Sequence, residues 1–235
     1  MTLAADPPYS EDGEEKDWLE FYYENPTPDR FVAQMKDWAA DGTLDNDQAK
    51  PALIAFISQL LRQNREKLSE WYGELAGLEP GQMQVMHTAM LFSRTSEADE
   101  ILKERFGKAY EDQKQETKKI LEMPLDQRDT MDMLWGFYYA TGSPEPVRRL
   151  ILAFRFQDAP EKPPGVEVPE GYVPLYKQLP DFAHNSLVAN GERHPRLVQI
   201  LQVLLEKDES LLEMEKAGVR KVLEELGQSA PGKEA

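Results

Sequence analysis

The segment MDMLWGFYYATGSPEPVRRLIL, residues 131–152, decides how the chain is read. Met131, Leu134, Trp135, Tyr138 and Tyr139 fall at offsets 0, 3, 4, 7 and 8, the spacing that puts side chains on one stripe of an α-helix. Gly142 suits the left-handed position that closes such a helix. Pro146 suits the opening of the next, where a missing N–H costs nothing. The segment therefore reads as a helix, a corner and a second helix, with its aromatics buried as packing.

Related stretches lie on either side. FYYENPTPDR at 21–30 repeats the Phe-Tyr-Tyr and its following prolines, with Trp18, Phe21 and Tyr22 at offsets 0, 3 and 4. ATGSPEPVRRLIL at 140–152 aligns without gaps to ANGERHPRLVQIL at 189–201, pairing Gly142 with Gly191 and Pro146 with Pro195. LFSRTSEADEIL at 91–102 is a looser third version that has neither Gly nor Pro. Corners that recur at about 46–49 residues predict helical hairpins, and the tetratricopeptide pattern with its roughly 34-residue period is not present.

Helical periodicity extends over most of the remaining chain, while strand alternation is nearly absent. Asp12 with Glu15 has the spacing of a capping box opening a first helix through Tyr23. Thr27-Pro28 reads as the N-cap and first position of a second helix reaching Trp38. Pro51 opens a third, whose stripe is Leu53, Phe56, Ile57, Leu60 and Leu61, and a fourth carries Leu68, Trp71, Tyr72 and Leu75. Pro80 begins a fifth, and Ser96 with Asp99 caps a sixth in which Ile101, Leu102 and Phe106 face inward. Further segments lead to an all-α chain of about a dozen helices, an irregular α-solenoid-like array of hairpins.

The stretch QDAPEKPPGVEVPEGYVPLYKQLPD at 157–181 holds six prolines and interrupts the helices. Four regions follow: a hairpin array over 1–156, a Pro-rich arm or connector over 157–179, a C-terminal hairpin over 180–227 and a tail over 228–235. Tyr172 and Tyr176 on the arm are rigid amphipathic side chains of the kind that anchor a partner.

Charge narrows the function. The chain has 43 acidic residues against 27 Lys and Arg, a net of −16, which disfavours nucleic acid and acidic membranes because phosphate binding relies on clustered cations. Residues 1–24 carry a net of −7, and Glu11, Asp12, Glu14 and Glu15 make them a candidate docking surface for a basic partner. The N-terminal stretch has neither the basic nor the apolar region of an export signal, so a soluble cytoplasmic protein is expected. With no cysteine, disulfides, thiolate metal sites and cysteine nucleophiles are excluded.

Catalytic and cofactor motifs do not emerge. His87, His184 and His194 lack metal-ligand spacing, and each reads as a core or corner histidine. DGTLDND at 41–47 lacks the Gly and the bidentate Glu of a calcium loop, and no Gly-rich phosphate loop follows a strand. No cofactor is expected. The leading functional expectation is a non-enzymatic scaffold that binds a protein or peptide on a helical surface. An acidic inhibitor of a basic protein is the second, and an enzyme assembled from scattered residues such as His87, Tyr138, Arg148 and His184 the third.

Overall fold

The computed structural model describes residues 17–160 and 174–228. Among them 74% are helical and no strand occurs. Eleven α-helices run in order: α1 Phe31–Ala40, α2 Lys50–Gln63, α3 Leu68–Glu74, α4 Pro80–Ser93, α5 Ser96–Phe106, α6 Lys108–Glu116, α7 Arg128–Thr141, α8 Pro144–Ile151, α9 Leu179–Gly191, α10 Pro195–Lys207 and α11 Glu213–Glu225. The chain divides into two compact units. Of the described residues, one holds 17–122 together with Trp135–Gly142, and the other holds Met123–Leu134 with 143–160 and 174–228.

Proline sets many of the helix starts. Pro51, Pro80, Pro144, Pro180 and Pro195 each occupy the first turn of their helix, where the pyrrolidine ring supplies a helical φ and the absent N–H has no partner to lose. The C-terminal hairpin expected over 180–227 opens one residue earlier, with Leu179 and Pro180 in the first turn of α9. A 3-10 turn at Leu175–Gln178 runs straight into α9.

In the first unit α2 and α4 form the most extensive helix pair, and Leu53, Phe56, Ile57, Leu60 and Leu61 are all buried as their spacing requires. Residues 18–24 are a run of turns, not a helix, and the Asp12–Glu15 capping box lies outside the described residues. Packing decides this. Trp18 stands edge-on to Tyr22 at 5.3 Å and to Phe56 at 5.4 Å. Its indole N–H donates to the Thr27 hydroxyl at 2.8 Å, so Thr27 makes no side-chain cap, and a 3-10 turn at Pro28–Arg30 precedes α1.

The two Phe-Tyr-Tyr stretches share burial as well as sequence. Tyr22 and Tyr138 are buried, while Phe21, Tyr23, Phe137 and Tyr139 are half-buried. They do not build two copies of one corner, since the first lies in turns and the second in α7. They meet each other: the Tyr23 N–H donates to the Tyr139 carbonyl at 3.0 Å, and the rings of Tyr23 and Tyr138 lie 5.2 Å apart. Burial, and then the Tyr138 hydroxyl beside it, push the Tyr23 phenol well above its ordinary pKa. Neither stretch is an exposed aromatic site.

Close approach at this end of α7 depends on a residue that periodicity does not single out. A Cβ on Gly136 would lie 2.0 Å from the Ala52 carbonyl oxygen, so the second half of α7 contacts the backbone of α2 directly. The Gln63 amide, further along α2, donates to the Ala140 carbonyl at 3.2 Å.

The corners differ in construction. Gly142 takes φ +59° as expected, followed by Ser143 at the N-cap and Pro144, not Pro146, in the first turn of α8. Gly191, by contrast, is not left-handed; it remains in α9, where an added Cβ would lie 2.4 Å from the Leu226 Cδ1. The better structural match to Gly142-Ser143 is Arg94-Thr95. Arg94 has φ +54°, and Thr95 is the N-cap of α5, accepting from the Ala98 N–H at 3.2 Å, with Ser96 one position inside the helix.

The second unit closes around Leu150, Ile151, Leu187, Leu197, Leu201, Val219 and Val222, all fully buried. Gly218 on α11 admits the Phe154 ring, whose carbon would lie 2.4 Å from a Cβ there. The buried Glu215 carboxylate accepts from the Leu212 N–H at 2.8 Å and from two Arg155 N–H groups at 2.9 and 2.7 Å, which supplies the partners a buried charge requires. Arg148 is likewise occupied, by Asp208 at 2.6 Å and Ser210 at 2.7 Å.

Two substitutions test these contacts. Glycine to alanine inside a helix ordinarily stabilises by up to about 1 kcal/mol. Gly136→Ala is expected to do the reverse, losing about 1–3 kcal/mol in urea unfolding because the backbone of α2 cannot withdraw as a side chain can. A gain in stability would remove the contact from the account. At position 94, Arg94→Gly is expected to exceed Arg94→Ala by about 1 kcal/mol, since both lose the guanidinium and only alanine retains the left-handed penalty.

Candidate functional site

The residues singled out for partner binding fall mostly beyond reach. Glu11, Asp12, Glu14, Glu15 and Tyr172 lie outside the described residues. Tyr176 lies in the turn before α9, its ring 6.2 Å from Phe156 and its hydroxyl donating to the Pro160 carbonyl at 2.5 Å. Lys177 beside it donates to the Ala159 carbonyl at 2.7 Å, so the two sides of the Pro-rich stretch are joined at Pro160 and Tyr176.

The four scattered candidates for catalysis have separate partners. Arg148 holds Asp208, as described, and Tyr138 is buried beside Tyr23. His184 is not the core histidine expected: its side chain is 25% exposed, and Nε2 lies 2.8 Å from a Glu225 carboxylate oxygen. His194 is buried at the N-cap position of α10, consistent with a corner residue. Among the described residues no group of three His, Asp or Glu converges as metal ligands would.

His87 is the histidine with a site around it. Glu79 and Gln82 form a capping box that starts α4, and the Gln82 amide also donates to the Ala39 carbonyl and to Asp45, fixing the helix in the first unit. Two turns on, His87 is only 7% exposed, with Nε2 3.0 Å from the Tyr72 hydroxyl of α3. Burial first, and then the Arg105 charge, lower its pKa, so the imidazole is neutral at pH 7.

Phe106 covers it. Expected to face inward, this last residue of α5 is 41% exposed and meets the His87 ring edge-on at 5.0 Å. The reason is local. Gly107, at φ +54°, turns the chain directly into α6, leaving Phe106 on the rim and not in the core. Across that turn Tyr110 is buried, its hydroxyl donating to Asp99, which also takes Lys114.

Two cavities open beside this pair. One, of about 240 Å³, has Leu91, Leu102 and Tyr110 in its walls; the other, of about 410 Å³, has Tyr72, Leu78, Met83 and Arg105. Gln84, His87 and Phe106 line both. With one imidazole nitrogen at Tyr72 and the Thr88 hydroxyl donating to the Gln84 carbonyl at 2.8 Å, the walls offer apolar surface and hydrogen bonding more than acid–base chemistry. In the second unit a cavity of about 220 Å³ includes Asp181, His184 and Lys221 on a floor of Phe154 and Gly218.

No protein-family model matches the chain, and no curated protein and no solved structure shows significant similarity to it. The burial of His87 agrees with its reading as a core histidine, but periodicity gives no sign that Phe106 would stand over it.

Asp132 on α7 is a second titrating group. Burial raises its carboxyl to about 6, against a partial lowering by Arg128, 3.8 Å away. Between about pH 4 and pH 6 the folded chain retains a proton that the unfolded chain has released, so this group's contribution to stability falls as pH rises through that window. Asp132→Asn is expected to stabilise by about 1 kcal/mol at pH 7, a figure limited by the carboxylate's partial exposure, and to make no difference near pH 4. Chemical unfolding of both proteins at the two pH values checks this, and an equal effect at both would refute it.

Proposed function

We propose that the chain is an interaction protein, and that its first unit receives an apolar side chain of a protein or peptide partner at the cleft around His87. The observation that carries this reading is Phe106, a large aromatic held 41% exposed between two cavities that share it as a wall. Isolated exposed apolar residues are ordinary on protein surfaces. An exposed aromatic ring set over a neutral histidine and flanked by concave walls is suited to recognition, because it contributes contact area with few rotamers to freeze.

The walls favour binding over reaction. An irregular α-solenoid-like array of hairpins is an architecture that presents such clefts along its surface, and we read the chain in that way. The partner is taken to be a protein or peptide, since a cleft divided in two by one ring accommodates successive side chains more readily than a single small molecule.

Selection of a random peptide library with free C-termini, carried out with the intact chain and with Phe106→Ser, tests the reading. Peptides bearing large apolar side chains are expected to be enriched by the intact chain and to lose at least tenfold in affinity for the variant. As Phe106 is partly exposed, the variant should melt close to the parent, so lost binding is separable from lost fold. Enriched peptides that bind both proteins equally would place recognition elsewhere.

A further inference from the structure

The cleft around His87 differs in charge from the chain that contains it. The protein carries 43 acidic residues, yet among the described residues no Asp or Glu lines either cavity there. In the second unit the cavities do have carboxylates in their walls, Asp181 in one and Glu192 and Glu225 in another. At the mouth of the 410 Å³ cavity stands Arg105, whose guanidinium lies 5.7 Å from the centre of the Phe106 ring. Among the described residues no carboxylate pairs with it. The Lys103 ammonium, on the preceding turn of α5, is by contrast taken by Glu111 at 3.0 Å.

An arginine stacked on an aromatic ring is held with its fork pre-oriented, and a planar guanidinium matches a carboxylate through two parallel hydrogen bonds. Placed at the edge of an apolar cavity, this combination is complementary to a group that has an apolar body and an anionic end on neighbouring atoms. The terminal residue of a polypeptide has both, its carboxylate one bond from the carbon bearing the side chain. The second cavity, across Phe106, is then available for a residue further back along the same peptide.

We infer that the cleft recognises the free C-terminus of a partner polypeptide ending in a large apolar residue, with Arg105 taking the terminal carboxylate and the cavity beside Phe106 and His87 taking the last side chain. This inference rests on the proposed interaction role and adds the chemistry of what enters the cleft. An internal segment would reach Arg105 only through an Asp or Glu side chain, whose carboxylate is not on the residue that fills the apolar cavity.

Titration calorimetry with the full chain and short synthetic peptides decides it. Acetyl-Gly-Ser-Gly-Phe as the free acid is expected to bind at least tenfold more tightly than the same peptide ending in an amide, and more tightly than its C-terminal Ser analogue. Arg105→Gln is expected to bring acid and amide to the same affinity while leaving the melting temperature unchanged. Equal binding of acid and amide by the parent would overturn the carboxylate assignment yet leave the peptide-binding role standing. Failure of the free acid to bind at millimolar concentration would overturn the inference, while the library selection tests the role independently. Should 3-phenylpropionate bind as tightly as the tetrapeptide, the occupant is a small carboxylate and the partner assignment fails.

Discussion

The last carbonyls of α7 are the constraint on which the first unit depends. A helix ends with carbonyl groups that no further turn can satisfy, and in a buried setting each needs a donor from elsewhere. The Phe137 carbonyl takes the Thr141 hydroxyl at 2.8 Å, and the Tyr138 carbonyl takes the Gly142 N–H at 2.7 Å. The next two reach far along the sequence, Tyr139 to the Tyr23 backbone and Ala140 to the Gln63 amide. Gly136, one turn earlier, lets α7 lie against the backbone of α2, the helix that carries Gln63. One hydrogen atom in place of a methyl group thus sets how closely α2 and the end of α7 come together.

The same unit supports a cleft whose electrostatics run against the composition of the chain. Acidic side chains favour solvent, and with so many of them two cavities lined by no Asp or Glu among the described residues are a local departure. Around His87 it coincides with an imidazole whose pKa is lowered, an aromatic rim and an arginine that, among the described residues, has no carboxylate paired to it. Low charge and apolar walls make a cation at the mouth more effective, because fewer counter-charges and less water oppose it. The second unit solves a different problem. Its buried Glu215 is fully partnered and serves the start of α11, so its charge is structural.

Much of the helical pattern was legible because it follows from short-range chemistry. Pro51, Pro80 and Pro195 at their helix starts and the stripes of α2 and α7 require only a few neighbouring residues to be read, and the structure has them where their spacing puts them, with Tyr139 alone of the two stripes half-buried. What failed required knowledge of distant neighbours. Gly191 resembles Gly142 in sequence, but its role is to leave room for Leu226 and not to supply a left-handed turn. Arg94 adopts that left-handed turn without being glycine, so the corner most like Gly142-Ser143 was the one with the weakest letter match. The cleft was the least legible feature. His87 was read as a satisfied core histidine, which its bond to Tyr72 supports, but Phe106 is turned outward by Gly107, and no stripe predicts a residue that leaves its stripe.

Trp18, Trp38, Trp71 and Trp135 all belong to the first unit, and the chain has four tryptophans in total. Indole emission excited near the red edge of protein absorption is therefore a report on one half of the molecule, whereas ellipticity sums over both. The protein carries a built-in optical partition. Any disagreement between the two signals during unfolding would measure how far the second unit, which contains no indole, keeps its helices after the first has lost its own.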